Sequence, residues 1–293
     1  MIIINMIRGF CMALADSVPG VSGGTIAFLL GFYDQFITSL DNLVSGSKED
    51  RIDAIRFLIK IGLGWVVGFI AAVLVLTSVF ESHIYAISSL FIGFIIFAIP
   101  YVVLEEKETI KKGKMWHLIF VLIGIIVVSA ITFFNPVSGS GISVDVESLN
   151  FGLCIYVFVA AMIAISAMIL PGISGSTLLL IFGLYVPILT AIKEVLHFNF
   201  HYISVLVIFA LGIVAGIVLV IKLIRMALEK FRPQMIYLII GLMVGSLYAI
   251  VMGPTTLDTP QPAMGFNTFS ILFFIIGGVV IVGLQMLKKV MEK

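Results

Sequence analysis

The sequence predicts an all-α integral membrane protein made of two inverted repeats, each a re-entrant helical hairpin followed by three transmembrane helices. Three observations predict it. Of the 293 residues, 61% are hydrophobic and 11% charged, where soluble domains carry roughly 25% charged residues. A helix-breaking stretch in apolar sequence, Pro19-Gly20-Val21-Ser22-Gly23-Gly24-Thr25, returns 152 positions later as Pro171-Gly172-Ile173-Ser174-Gly175-Ser176-Thr177. The loops alternate in Lys and Arg content in a way that orients the two halves oppositely.

Taken in order, the chain opens with Met1 to Ile7, which lacks the basic start and small-residue cleavage site of a signal peptide and is expected to belong to the mature protein. A span needs about 20 apolar residues. Six stretches qualify: Phe57 to Phe80, Ile84 to Leu104, Met115 to Phe134, Ile203 to Ile221, Pro233 to Met252 and Phe269 to Leu287. Four fall short, namely Met1 to Ala15, Thr25 to Leu40, Tyr156 to Leu170 and Thr177 to Ile192. These four flank the two breaks, so each pair reads as a hairpin that enters the membrane and leaves by the same face. The first repeat then covers residues 1–134 with its hairpin at 1–40, residues 135–152 form an extracellular linker, and the second repeat covers 153–293 with its hairpin at 153–192. A ten-span alternative, in which the short arms cross fully, fits the loop charges equally well; arm length is what separates the two.

Weaker matches support a duplication. Leu63-Gly64 with Gly68 matches Leu211-Gly212 with Gly216, Ile92-Gly93 matches Ile240-Gly241, and Ile123-Gly124 matches Ile276-Gly277. All keep the same order and nearly the same offset, which is the pattern of an internal repeat.

Lys and Arg concentrate on the cytoplasmic side. Residues 105–114, 222–233 and the C-terminus are rich in them, whereas 81–83, 135–150 and 253–267 have none. Residues 39–56, with Lys48, Arg51 and Arg56, join the inside group. Both termini are therefore expected in the cytoplasm. The first hairpin opens from inside and the second from outside, and their tips approach each other near the midplane. Lys193, on the outer side, runs against this rule.

A helix that begins at such a break presents unpaired N–H groups and the positive end of its dipole, which suits phosphate or another oxyanion. The expected phosphate-binding residues are Ser22, Gly23, Gly24 and Thr25 of the first tip and Ser174, Gly175, Ser176 and Thr177 of the second, with Arg8 as a bidentate cation. Asp16 and Asp34 are the candidates for proton coupling, because ionisable groups at membrane depth are costly and usually functional. The blander reading is that the motifs are turns with Ser or Thr caps, that Arg8 snorkels and that Asp34 caps the hairpin. Tyr33 and Tyr185, after Gly31 and Gly183, read as aromatic-belt residues.

A net charge of +1 and the absence of a basic, aromatic-interleaved run point away from nucleic acid. Cys11 and Cys154 read as buried small hydrophobes, the four histidines lie in or beside loops without metal-ligand spacing, and no cofactor or metal is expected. The missing cluster of Asp, His or Arg at the tips argues against phosphoryl chemistry, so an enzyme is not expected.

Through Arg8-Gly9-Phe10, Ala15-Asp16-Ser17-Val18-Pro19-Gly20-Val21-Ser22-Gly23-Gly24-Thr25 and Leu170-Pro171-Gly172-Ile173-Ser174-Gly175-Ser176-Thr177, the chain resembles the bacterial polyprenyl-phosphate transporter family over essentially its whole length. The resemblance implies translocation of undecaprenyl phosphate from the outer to the inner leaflet of the bacterial cytoplasmic membrane, returning the lipid carrier for cell-wall synthesis. The prenyl chain is expected to stay in lipid between the halves, without a dedicated tunnel. A small-anion channel or exchanger and a membrane-embedded prenyl-phosphate phosphatase are the competing readings.

Overall fold

A computed structural model describes residues 2–16, 22–72, 77–134, 150–256 and 260–291. The Pro19-Gly20 turn and most of the 135–152 linker lie outside the described residues, as does the side chain of Ser176. All regular structure among the described residues is helical.

Each expected hairpin is built from three helices. The first comprises α1 (Ile2–Asp16), α2 (Gly23–Leu29) and α3 (Tyr33–Ser45); the second comprises α8 (Phe151–Ile169), α9 (Gly175–Ile181) and α10 (Tyr185–Leu196). The returning arms, expected as single helices over 25–40 and 177–192, are therefore broken. The cause is a glycine with positive φ in each, Gly31 at 68° and Gly183 at 66°. Gly31 N–H bonds the Phe28 carbonyl at 3.1 Å and Phe32 N–H the Ala27 carbonyl at 3.0 Å. Gly183 and Leu184 repeat this on Leu180 and Leu179, both at 2.9 Å. These paired bonds are the Schellman ending of a helix, sealed by the buried Phe32 and Leu184. The repeated Gly-x-Tyr of the sequence is thus a helix stop.

The remaining elements are α4 (Lys48–Ala71), α5 (Thr77–Glu105), α6 (Lys107–Lys111), α7 (Leu118–Phe133), α11 (Ile203–Lys230), α12 (Arg232–Met252) and α13 (Ile271–Met291). Residues 39–56, expected as a loop, are almost wholly helical, because Ser47 caps α4 with a reciprocal Ser47–Asp50 capping box. Non-helical backbone at His83 divides α5 where the expected outer connection falls.

Among the described residues, six helices are long and apolar enough to cross a membrane: Lys48–Ala71, His83–Glu105, Met115–Phe133, Phe151–Ile169, Phe200–Lys230 and Arg232–Thr255. Two results depart from expectation. The expected span 269–287 is not among the six, its described apolar part being the shorter Ile271–Gly283. The arm expected to be too short, 156–170, begins at Phe151 and is 19 residues long, because Asn150 caps it by accepting from Leu153 N–H at 2.9 Å. Length therefore does not exclude a crossing there.

Packing follows the glycines. In lipid, helices associate where small residues let backbones meet. A Cβ at Gly64 would lie 1.9 Å from the Met6 carbonyl oxygen and one at Gly68 would lie 2.6 Å from that of Phe10, so α4 packs on α1 through a Gly-x-x-x-Gly seam. Gly212 and Gly216 place α11 on α8 in the same way, 2.4 and 2.6 Å from the Phe158 and Met162 carbonyls. Gly93 and Gly277 join α5 to α13, while Gly241 and Gly124 join α12 to α7. Every weak glycine match of the sequence is a helix contact, and matched glycines make matched contacts. The last helix of each half packs on the other half.

Two arginines, at the end expected to face inside, tie the halves together. Arg232 bonds Asp34 at 2.9 Å and Glu106 at 3.2 Å, and Arg225 bonds Asp41 and, at 3.1 Å, Asn42. Both arginines come from the second half and all four partners from the first. Burial pushes the Glu106 carboxyl up, but hydrogen bonds from Arg232 and Thr109 and the Arg232 charge outweigh it and hold it below its ordinary value.

Candidate functional site

The two tips touch. Ser22 caps α2, its Oγ accepting from Thr25 N–H at 3.2 Å. Gly172 N–H of the second tip donates to Thr25 Oγ1 at 2.7 Å and to Ser22 Oγ at 3.3 Å, and the Leu170 carbonyl accepts from Ser22 Oγ at 3.4 Å. Ser22 is 0% and Thr25 1% exposed. These hydroxyls satisfy buried backbone groups that the second break leaves without a helical partner.

Depth is set by α12. Gly172 has φ +91°, and a Cβ there would lie 2.5 Å from the carbonyl oxygen of Leu242, the central residue of Arg232–Met252. Only glycine fits both the backbone angle and that contact. The first tip meets the same region, since a Cβ at Gly24 would lie 2.8 Å from the Ile169 carbonyl.

Asp16 closes α1 and faces the start of α2. Gly23 N–H donates to its Oδ1 at 2.6 Å and Trp65 Nε1–H to its Oδ2 at 3.0 Å. A carboxylate at the end of its own helix is badly placed, but here the N-terminal end of α2 and an indole N–H offset that cost. In the second tip the equivalent position is Met168, whose Sδ lies 3.2 Å from a Cβ built on Gly175. The seat is conserved in geometry between the two tips and opposite in chemistry.

The other expected residues are placed apart. Arg8 bonds Asn5 at 3.0 Å and stacks over the Phe32 ring at 4.8 Å, beside the α2–α3 break rather than the tips. Asp34 belongs to the Arg232 ion pair at the inner end. Ser174 and Gly175 are buried, and Thr177 is half-buried. Tyr33 is no belt residue: it is 2% exposed, and its hydroxyl donates to the Ile169 carbonyl at 3.2 Å, just ahead of the second break.

Below the tips lies a cavity of about 350 Å³, lined by Met12, Asp16, Gly23 and Gly24 at its head and by side chains of α3, α4, α8 and α11. Trp65 belongs to this site and was missed in the sequence. The available signal was an indole in the middle of an apolar span, where its N–H must find a partner. Its partner could not be read from the sequence, because the two residues are 49 apart.

A family model described as VCA0040-like, undecaprenyl phosphate translocase-like, matches residues 12–269. A polyprenyl-phosphate transporter of Staphylococcus aureus (strain NCTC 8325 / PS 47) is 36% identical over 280 residues, covering 94% of each chain. A second polyprenyl-phosphate transporter, from Vibrio cholerae serotype O1 (strain ATCC 39315 / El Tor Inaba N16961), is 30% identical over 251 residues, covering 82% of this chain and 75% of the relative. No solved structure matches the chain.

Proposed function

Because this chain belongs to the undecaprenyl phosphate translocase-like family, we propose that it is a transporter of polyprenyl phosphate, carrying the lipid from the outer to the inner leaflet of the bacterial cytoplasmic membrane with its phosphate held at the paired tips. The observation that carries this reading is the contact of the two tips, Gly172 N–H on Thr25 Oγ1 at 2.7 Å, beside the Asp16 carboxyl and against the middle of α12.

The same depth supports re-entrance. The seven residues of α2 are about 10 Å long, roughly a third of the hydrocarbon core, and they lead from the tip to Asp34 in the inner ion-pair cluster. The first hairpin thus returns to the side it came from. The matched glycine seams, with α7 and α13 exchanged between the halves, support two repeats related by inversion.

Asp16 supplies the coupling step. A phosphate monoester carries about −1.5 to −2 charges near neutral pH. Two like unit charges at 4 Å repel by about 4 kcal/mol at an effective dielectric of 20, so an ionised Asp16 opposes phosphate at the first tip. A protonated Asp16 instead offers a hydrogen-bond donor. Binding of phosphate and proton together, followed by release of both on the inner side, drives inward movement with an inward proton gradient. The Gly23, Gly24, Gly175, Ser174, Ser176 and Thr177 groups complete the phosphate site. The Ser22 and Thr25 hydroxyls, already bonded across to the second tip, act by holding the two breaks together, and Arg8 attracts the headgroup at the hairpin's inner mouth.

The test is reconstitution in liposomes with undecaprenyl phosphate in the outer leaflet, following loss of accessibility to an external phosphatase. Translocation above protein-free vesicles that rises with an inward proton gradient is the expected result. No translocation above that background overturns the reading. Efflux of trapped inorganic phosphate in lipid-free form would favour the small-anion exchanger instead, and release of phosphate from prenyl pyrophosphate would favour the phosphatase.

A further inference from the structure

The cavity beneath the tips has walls of one kind and a head of another. Phe36 and Leu40 of α3, Leu58, Ile61 and Val66 of α4, and Ile165 and Ile217 of the second half are apolar; Asp16, Trp65 Nε1 and the Gly23 backbone are gathered at the tip end. At the far end Leu40 is followed by Asp41, which Arg225 pins to α11. The cavity reaches the apolar outer surface of α4, where its lining residue Val66 is 50% exposed. An apolar slot of about 350 Å³ that starts at a polar end and reaches an apolar outer surface matches one amphiphile, a phosphate monoester on a hydrocarbon chain.

We infer that this cavity receives the isoprenoid segment next to the phosphate, so that the protein grips the lipid by its chain as well as its headgroup. The inference rests on the reading of the tips as the phosphate site. It replaces the expectation that the chain stays wholly in bulk lipid, and it makes Trp65 a residue that touches the chain while holding Asp16. Chain contact gives selectivity that a phosphate site lacks, because an apolar wall discriminates by buried hydrocarbon area.

Gly62 provides the test. It lines the cavity, and a Cβ built on it meets no atom within 4 Å, so Gly62→Phe can place a ring in the slot without a clash at its Cβ. Gly283, on α13 away from the cavity, is equally open, and Gly283→Phe serves as the matched control. In the liposome assay Gly62→Phe is expected to slow undecaprenyl phosphate translocation at least tenfold while Gly283→Phe stays within twofold of wild type. Equal rates for Gly62→Phe and wild type overturn the inference and leave the transport reading standing, whereas an inactive wild type defeats the transport reading itself. Independently of folding of the variant, Trp116→Phe leaves Trp65 as the single tryptophan. Its emission is expected to shift saturably with undecaprenyl phosphate in detergent and not with inorganic phosphate. No shift with the lipid, or the same shift with inorganic phosphate alone, also overturns the inference.

Discussion

The two helix breaks share a scaffold and differ in the side chain that faces it. Both breaks are followed by a seven-residue helix closed by a positive-φ glycine, and both first arms pack on a long helix through Gly-x-x-x-Gly. At the seat facing the new helix the first tip has Asp16 held by Trp65, and the second has Met168. The two breaks match in backbone and meet, and the titratable group lies on one side only.

The shared scaffold can be broken first, with the largest expected effect. Gly93→Val and Gly241→Val each put side-chain atoms where a partner carbonyl already lies 2.2 Å from the Cβ, so both should lose folded protein in detergent, as measured by monodisperse yield. Equivalence is the point: if one variant behaved as wild type while the other failed, the matched seams would not be equivalent.

Asp16→Asn attacks the inequality itself. It keeps an acceptor for Gly23 N–H but cannot titrate, so transport should fall 10- to 100-fold and lose its dependence on the proton gradient. Ser174→Ala on the second tip should fall by less than tenfold and keep that dependence. Reversal of this order would remove the special status of the first hairpin.

Thr25→Val separates holding from binding. Gly172 N–H then keeps only the longer bond to Ser22 Oγ, a loss of about 0.5–1.5 kcal/mol for one hydrogen bond, to be read as a lowered thermal unfolding midpoint. An unchanged midpoint would mean that the tips do not depend on each other.

The smallest effect is at the inner ion pairs. Glu106 is held below its ordinary value, so its contribution to stability is complete above about pH 4.5 and is lost as the pH falls further, through its folded value. Wild type should therefore lose more stability than Glu106→Gln between pH 6 and pH 3, by about 1 kcal/mol or less for a partly exposed pair, measurable by thermal denaturation in detergent. A larger acid loss in the variant would reassign the effect to another carboxyl.

Much of this was legible because it is local or repeated. Apolar length gave most spans, and the paired Pro-Gly motifs located both breaks. The matched glycines were legible only as a repeat; that they are helix contacts came from the structure. Less was legible wherever a partner is distant in sequence. Tyr33 reads as a belt residue until the Ile169 carbonyl appears beside it, and Asp34 reads as a cap until Arg232 does. Local capping also moved boundaries: Ser47 and Asn150 start helices earlier than hydropathy alone places them.

By itself the sequence determined that the chain is apolar enough for a membrane, that a Pro-Gly motif recurs at an offset of 152, and that two helix breaks sit in matching places. Those properties follow from composition, periodicity and backbone chemistry, which act over a few residues. Tertiary structure alone decided that Ser22 and Thr25 are spent on the opposite tip, that Trp65 holds Asp16, and that an apolar cavity opens beneath them. The hydrogen bonds join residues 49 and up to 150 positions apart and the cavity wall runs from Met12 to Ile217, and only packing brings such residues together.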